Sequence, residues 1–381
     1  MRALFAGLTV LGLAPACLAD ELDGAFLRGT QGAGPIAASY PVRPAAQSYP
    51  TAPAAPVYPV DSAAVPEAID ASTPSYPVDA PVSPEEAPWL RPSLVEFEVE
   101  VGVRAGQSTG HLAKDLYDDP RASTNINSRL TYSELKAHSA ELFGRIDHSS
   151  GFFAKGYAGL GKIPTGKLND EDFIPALDGG YSSTMSDQRG GHLYYASADF
   201  GYDLWRAKVF RLGVFVGYQY LDEQVHAYGC TQVGGNPFIC APGAVHDGEL
   251  GISETAEWHS LRLGVAGELL LFNRLRLTAD AAWVPYVSLF AQDTHWLRPD
   301  IGGPVPERGT GNGMQLQGTV SWQLTDAFSV GVGARYWRMR TKGSADLEQM
   351  IGYWNPVAQP LAFTTERFGA FVQTAWRFGL R

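Results

Sequence analysis

Two short stretches hold residue types that could activate a water molecule: Asn169-Asp170-Glu171-Asp172-Phe173 and Gln292-Asp293-Thr294-His295-Trp296. Residues two apart in an extended chain point to one side, so Asp170 and Asp172 form a carboxylate pair and Asp293 with His295 a carboxylate–imidazole pair. A neutral imidazole titrates near working pH, and an adjacent carboxylate stabilises the imidazolium formed when it takes a proton. Facing each other, the pairs would have the parts of a hydrolytic site that needs no cofactor. Neither Asp-x-Asp nor Asp-x-His is specific alone, because acids and histidines are common in solvated loops. Their weight depends on whether the fold brings the two stretches to one place.

The elements that must do so are β-strands. From Leu94 the pattern has period two: Val95, Phe97, Val99, Val101 and Val103 alternate with Glu96, Glu98, Glu100, Gly102 and Arg104. The alternation returns in residues 194–204, 210–220, 261–271, 275–283, 314–324, 328–336 and 368–378, and less cleanly in 129–147 and 151–160. One face is hydrocarbon; the other carries Asp199, Arg262, Arg276, Asp280, Arg335 and Arg377. Charge facing in and hydrocarbon facing out suits a closed barrel in lipid, which tolerates no open sheet edge. The connections alternate between tight (148–150, 205–208, 273–274, 325–327) and long. The expectation is an all-β fold: a ten-stranded antiparallel transmembrane β-barrel over residues 94–381, short turns on the periplasmic side and long loops outside. Asp170/Asp172 follow the third strand and Asp293/His295 the seventh, so both pairs fall on the outer rim. A lumen filled by paired charges argues against a porin.

The chain ahead of the barrel has two parts. Residues 1–19 read as a signal peptide: a basic start at Arg2, an apolar run, and small residues ending Cys17-Leu18-Ala19. Whether Cys17 is lipidated stays open, Ala14 standing where a lipidation signal favours Leu. Residues 20–93 are rich in Pro and Ala, with Tyr-Pro repeated at Tyr40, Tyr49, Tyr58 and Tyr76. Proline fixes φ and removes donors, so the segment reads as a disordered, semi-stiff periplasmic tether and a candidate for cell-wall contact.

In the barrel, the chain resembles the omptin family of outer-membrane proteases. That family has ten strands, an Asp-x-Asp pair in the second outer loop and an Asp-x-His pair in the fourth; Asp170, Asp172, Asp293 and His295 fall on those pairs. The resemblance runs from about Gly102 to the end, helped by Tyr195-Ala196-Ser197-Ala198-Asp199-Phe200 and Gly217-Tyr218-Gln219. It implies an aspartic-type endopeptidase in which His295, oriented by Asp293, takes a proton from water while Asp170 and Asp172 position that water and stabilise the intermediate. Departures bear on specificity. The acid two positions before the Asp of Asp-x-His is Ala291 here, and Asp115 is only a candidate for a second specificity acid. The cation expected just after Gly-Tyr-Gln for lipopolysaccharide is absent, Asp222 standing near that place. The chain ends Phe378-Gly379-Leu380-Arg381, where a terminal aromatic residue is usual.

Cys230 and Cys240 share one predicted outer loop and, in an exported protein, are expected to form a disulfide. His226 and His246 nearby lack metal-ligand spacing, so no metal site is expected. The net charge of −11 argues against a nucleic-acid partner. The expected partners are a peptide or protein substrate and outer-membrane lipid, with lipopolysaccharide as a candidate. The expected location is the outer membrane with the site facing out. The competing reading is a non-catalytic barrel acting as adhesin or envelope anchor.

Overall fold

The structure is a computed structural model that describes residues 96–117, 125–173, 180–301, 303–347 and 358–380. The signal peptide, Cys17 and the tether lie outside the described residues. No helix among the described residues is long and apolar enough to cross a membrane; the structure is built of strands.

Eleven strands follow one another: β1 (Phe97–Tyr117), β2 (Ile126–His148), β3 (Phe152–Asp172), β4 (Ser182–Gln188), β5 (Gly191–Arg206), β6 (Phe210–Gln232), β7 (Leu250–Leu271), β8 (Leu275–His295), β9 (Val305–Gln323), β10 (Phe328–Ala345) and β11 (Gln359–Leu380). The short β4 and the following β5 make one stave: β4 pairs with the upper part of β3, β5 with its lower part, and both pair with β6. The ring closes where β1 lies against β11, Phe97 opposite Leu380. Ten antiparallel staves result, as the alternation and connection lengths lead one to expect. Closure leaves no edge to satisfy in lipid.

The two faces follow the expected division. Val103, Leu142, Phe200, Val332 and Val372 stand outward and exposed, while the charged partners turn in and pair. Arg262 donates to Asp199 at 2.8 Å, Arg335 and Arg104 converge on Glu141 at 2.7 and 2.6 Å, and Arg276 and Arg377 both hold Glu100. Unpaired, each such charge would carry several kcal/mol of desolvation. Outward aromatics Tyr194, Tyr218 and Trp283 mark the upper edge of the apolar band, Trp322 and Trp376 the lower.

The staves continue well past that upper edge. About ten residues cross hydrocarbon, whereas β1 has 21 residues and β2 has 23. Above the aromatic edge the outward positions turn polar, with Lys136, Lys162, Asp222, Glu257, Arg338 and Glu366. The upper part of the barrel therefore stands in water. Inside it, a buried apolar layer drawn from around the ring, including Leu112, Leu130, Leu168, Trp258, Leu289 and Phe363, separates the charged lower lumen from the rim.

Candidate active site

Asp170 and Asp172 are the last residues of β3, and Asp293 and His295 the last of β8. They belong to paired strand ends, not free loops: Asp170 lies opposite Leu130 and Asp172 opposite Ser128 on β2, Asp293 opposite Glu254 on β7. Their facing inward depends on two irregularities. Lower on β3 the lumen-facing residues are odd-numbered, Phe153 and Ile163, but above a register shift they are even, Leu168 and Asp170. On β8 the buried positions run Ala282, Val284 and then Val287, Leu289, Ala291, Asp293, with the register shift between Val284 and Val287. A bulge inserts one residue on one strand and so flips the faces beyond it. Pro164 and Pro285 sit inside these shifts, where a residue that cannot donate to the ladder is tolerated. Without them all four side chains would point away from the lumen.

Asp293 is buried, and its Oδ2 accepts from His295 Nε2 at 3.0 Å; the His295 side chain is 20% exposed, which leaves the ring open to the cleft. With Nε2 holding the proton for Asp293, Nδ1 is the free base. The chain just after it is pinned: Trp296 donates its backbone N–H to Gly251 O at 2.8 Å and its indole N–H to Ser253 Oγ at 2.7 Å. Burial alone would push His295 down, but the Asp293 carboxylate outweighs it, so its pKa is raised. Burial would push Asp293 up; His295 and Lys114 overcome that and hold it well below the usual carboxylate range.

Across the rim, burial and the like charge of Asp172 push half-buried Asp170 up to about 7, against the opposing pull of His295. Asp172 is raised by burial, with Ser128 donating to it and Arg298 and His295 acting against the rise. The structure thus brings Asp170 within electrostatic reach of Asp172, Asp293 and His295, and Asp172 within that of His295. A carboxyl pair that retains a proton near neutrality, facing an imidazole of raised basicity, can hold a water, remove its proton and donate hydrogen bonds to an anionic intermediate.

Beneath Asp293 lies a group that reading the sequence missed. Lys114 of β1 donates to Glu254 Oε2 at 2.6 Å, to Asp293 Oδ2 at 2.8 Å and to Glu307 Oε1 at 2.8 Å, all four side chains at most 4% exposed. The three carboxylates offer oxygens within 4.8 Å of one another, the spacing of a cation site, and the cation is the lysine ammonium. The buried Tyr132 hydroxyl lies within the electrostatic reach of Glu254, Asp293 and Asp170. These residues were legible in principle: Lys114, Glu254 and Glu307 lie an even number of residues from lumen-facing Arg104, Arg262 and Gln315 on strands whose faces do not flip.

Ala291 is buried on the lumen face two residues below Asp293. Asp115 points away from the side that Lys114 takes and is held by Arg129 at 2.6 Å, so it does not enter the lumen as a specificity acid. Asp222 lies 3.8 Å from His192 on the outer face. Cys230 and Cys240 are joined as expected.

No protein-family model matches the chain, and no curated protein does. Among solved structures it is similar to the outer membrane protease OmpT from Escherichia coli, with a TM-score of 0.56 and 13% identity over 75% of this chain and 100% of that one. The translocator domain of the autotransporter NalP from Neisseria meningitidis aligns with a TM-score of 0.34 at 10% identity, covering 77% and 92% of the two chains. Ail, the attachment invasion locus protein of Yersinia pestis, aligns at 0.26 and 7%, covering 74% and 99%. The likeness to OmpT is one of fold, and it agrees with the omptin resemblance read from the sequence: the same kind of closed outer-membrane barrel.

Proposed function

We propose that the protein is an omptin-like endopeptidase of the outer membrane, its site facing the exterior and its amino-terminal tether in the periplasm. The observation that carries the reading is the convergence of Asp170, Asp172, Asp293 and His295 on one rim through bulges that turn each pair inward. Neutral His295 accepts a proton at Nδ1 from a water that Asp170 and Asp172 hold against the substrate carbonyl. The water oxygen bonds to the carbonyl carbon, and the carbonyl oxygen becomes an anion that the proton shared by the aspartates stabilises. The imidazolium, held by ionised Asp293, then gives its proton to the leaving nitrogen as the C–N bond breaks. The substrate is a peptide or protein that reaches the rim, with outer-membrane lipid, lipopolysaccharide included, around the barrel. With buried Ala291 in place of an acid, preference for Arg or Lys beside the cut is weaker than in omptins, and Ala291→Asp should strengthen it.

The test is incubation of the purified full-length protein with a mixed peptide library, wild type beside His295→Ala, products read by mass spectrometry. A general base contributes about 10²- to 10⁴-fold, and a loss of that size is expected. Equal turnover by both proteins, or none by the wild type, would leave the barrel as an adhesin or anchor.

A further inference from the structure

Lys114 and His295 bond the same oxygen, Oδ2 of Asp293, at 2.8 and 3.0 Å. This is unlike the ion pairs lower in the lumen, where arginines and carboxylates come in comparable number. Here one ammonium faces three buried carboxylates. Such an excess of buried like charge is a poor stabilising device, since well-packed apolar side chains of similar size would serve the barrel at least as well. Glu254 Oε1, Asp293 Oδ1 and Glu307 Oε2 are also buried without a hydrogen-bond partner among the described residues. The arrangement gains a rationale if its purpose is to control Asp293.

We propose that Lys114 is a positioning residue for the proposed peptidase reaction: its ammonium, itself braced by Glu254 and Glu307, fixes the Asp293 carboxylate and competes with His295 for Oδ2. Without that brace Asp293 could rotate its free oxygen toward the ring. Without that competition the imidazole would bind its proton too tightly to serve as a base near neutrality. The groups facing His295 pull in two directions. Asp293 and Asp170 favour its protonation and Lys114 opposes it; Asp172 and Glu307 interact with it. Tyr132 and Glu254 touch the same network through Asp293. Burial raises both Glu254 and Glu307, while the three carboxylates override the burial of Lys114 and hold it charged. Lys114 thus remains the fixed cation of the cluster.

This inference rests on the proposed function for its meaning but not for its test, which reads His295 directly. Full-length protein with isotope-labelled histidine is titrated by NMR in detergent micelles, His295 being assigned by the resonance lost in His295→Ala. In Lys114→Met the His295 midpoint should rise by about one unit or more, the size expected when an opposing charge a few ångströms away is removed. In Glu254→Gln/Glu307→Gln, which frees the ammonium to act on Asp293 alone, the midpoint should fall. An unchanged midpoint in Lys114→Met, or a shift of the same sign in both variants, would overturn the proposal. If Lys114→Met does not fold, the double glutamine variant decides it: a fall supports the proposal, and no change or a rise contradicts it. The acid limb of peptide cleavage should move with the midpoint in each variant. Opposite NMR shifts without cleavage by the wild type would sink the peptidase reading and leave standing only the control that Lys114 exerts on His295 through Asp293.

Discussion

Asp170 is the residue whose ionisation most directly reports the site. Its charge favours the protonated form of His295, so Asp170→Asn should move the acid limb of kcat/KM to lower pH as well as lower its plateau. A pH–rate profile of the variant checks this; an unmoved limb would separate the two pairs. The same residue bears on stability. Its folded pKa, about 7, stands above the ordinary value of 3.8, so the folded state holds a proton that the unfolded chain releases. The carboxyl is accommodated at pH below 3.8, and that stability is lost as pH rises towards 7. Asp170→Asn should therefore resist denaturant better than wild type at pH 8, by about 1–2 kcal/mol once partial exposure is discounted, and equally well at pH 3. Asp293→Asn is a different case. As a loop residue it could be changed without consequence for folding, but in the structure it is buried against Lys114. Lys114 keeps Glu254 and Glu307 in this variant, so the barrel should still fold while cleavage falls by about 10²- to 10⁴-fold.

At the scale of the strand, the decisive features are the bulges at Pro164 and Pro285. Period-two alternation made the ten staves legible, and it placed Asp199, Arg262, Arg276 and Arg335 on the lumen side correctly. Carried up β8 without interruption, the same alternation would have turned Asp293 and His295 outward. A proline inside an otherwise regular strand is the local signal that the count changes there. The strand ends were less legible because the alternation fades above the membrane, where both faces meet polar surroundings: β9 begins at Val305, and the apolar pattern shows only from Met314. Lys114, Glu254 and Glu307 lie in that faded region. Deleting Pro285 should restore an even count and face Asp293 and His295 away from the lumen. Cleavage should then be lost while the barrel keeps its folded mobility in an unheated gel; full activity in the deletion would contradict the role given to the bulge.

Over the described residues, the molecule combines a ring anchored by its apolar band with an upper extension standing in water, and an apolar layer that closes the lumen beneath the rim. Closure and layer follow from sequence composition distributed over every stave, which is why the fold class could be read from end to end. The site could be read only in part, because its supports come from β1, β7 and β9, far apart in the chain and joined only by the ring. The central claim is that Asp170 and His295 act on one water across that ring. The most direct measurement is a double-mutant cycle of peptide cleavage by wild type, Asp170→Asn, His295→Ala and the double variant. Residues that act as a unit are strongly non-additive, so the double variant should be about as slow as the slower single. A double variant slowed by the product of the two single losses, or two singles as active as wild type, would contradict the account.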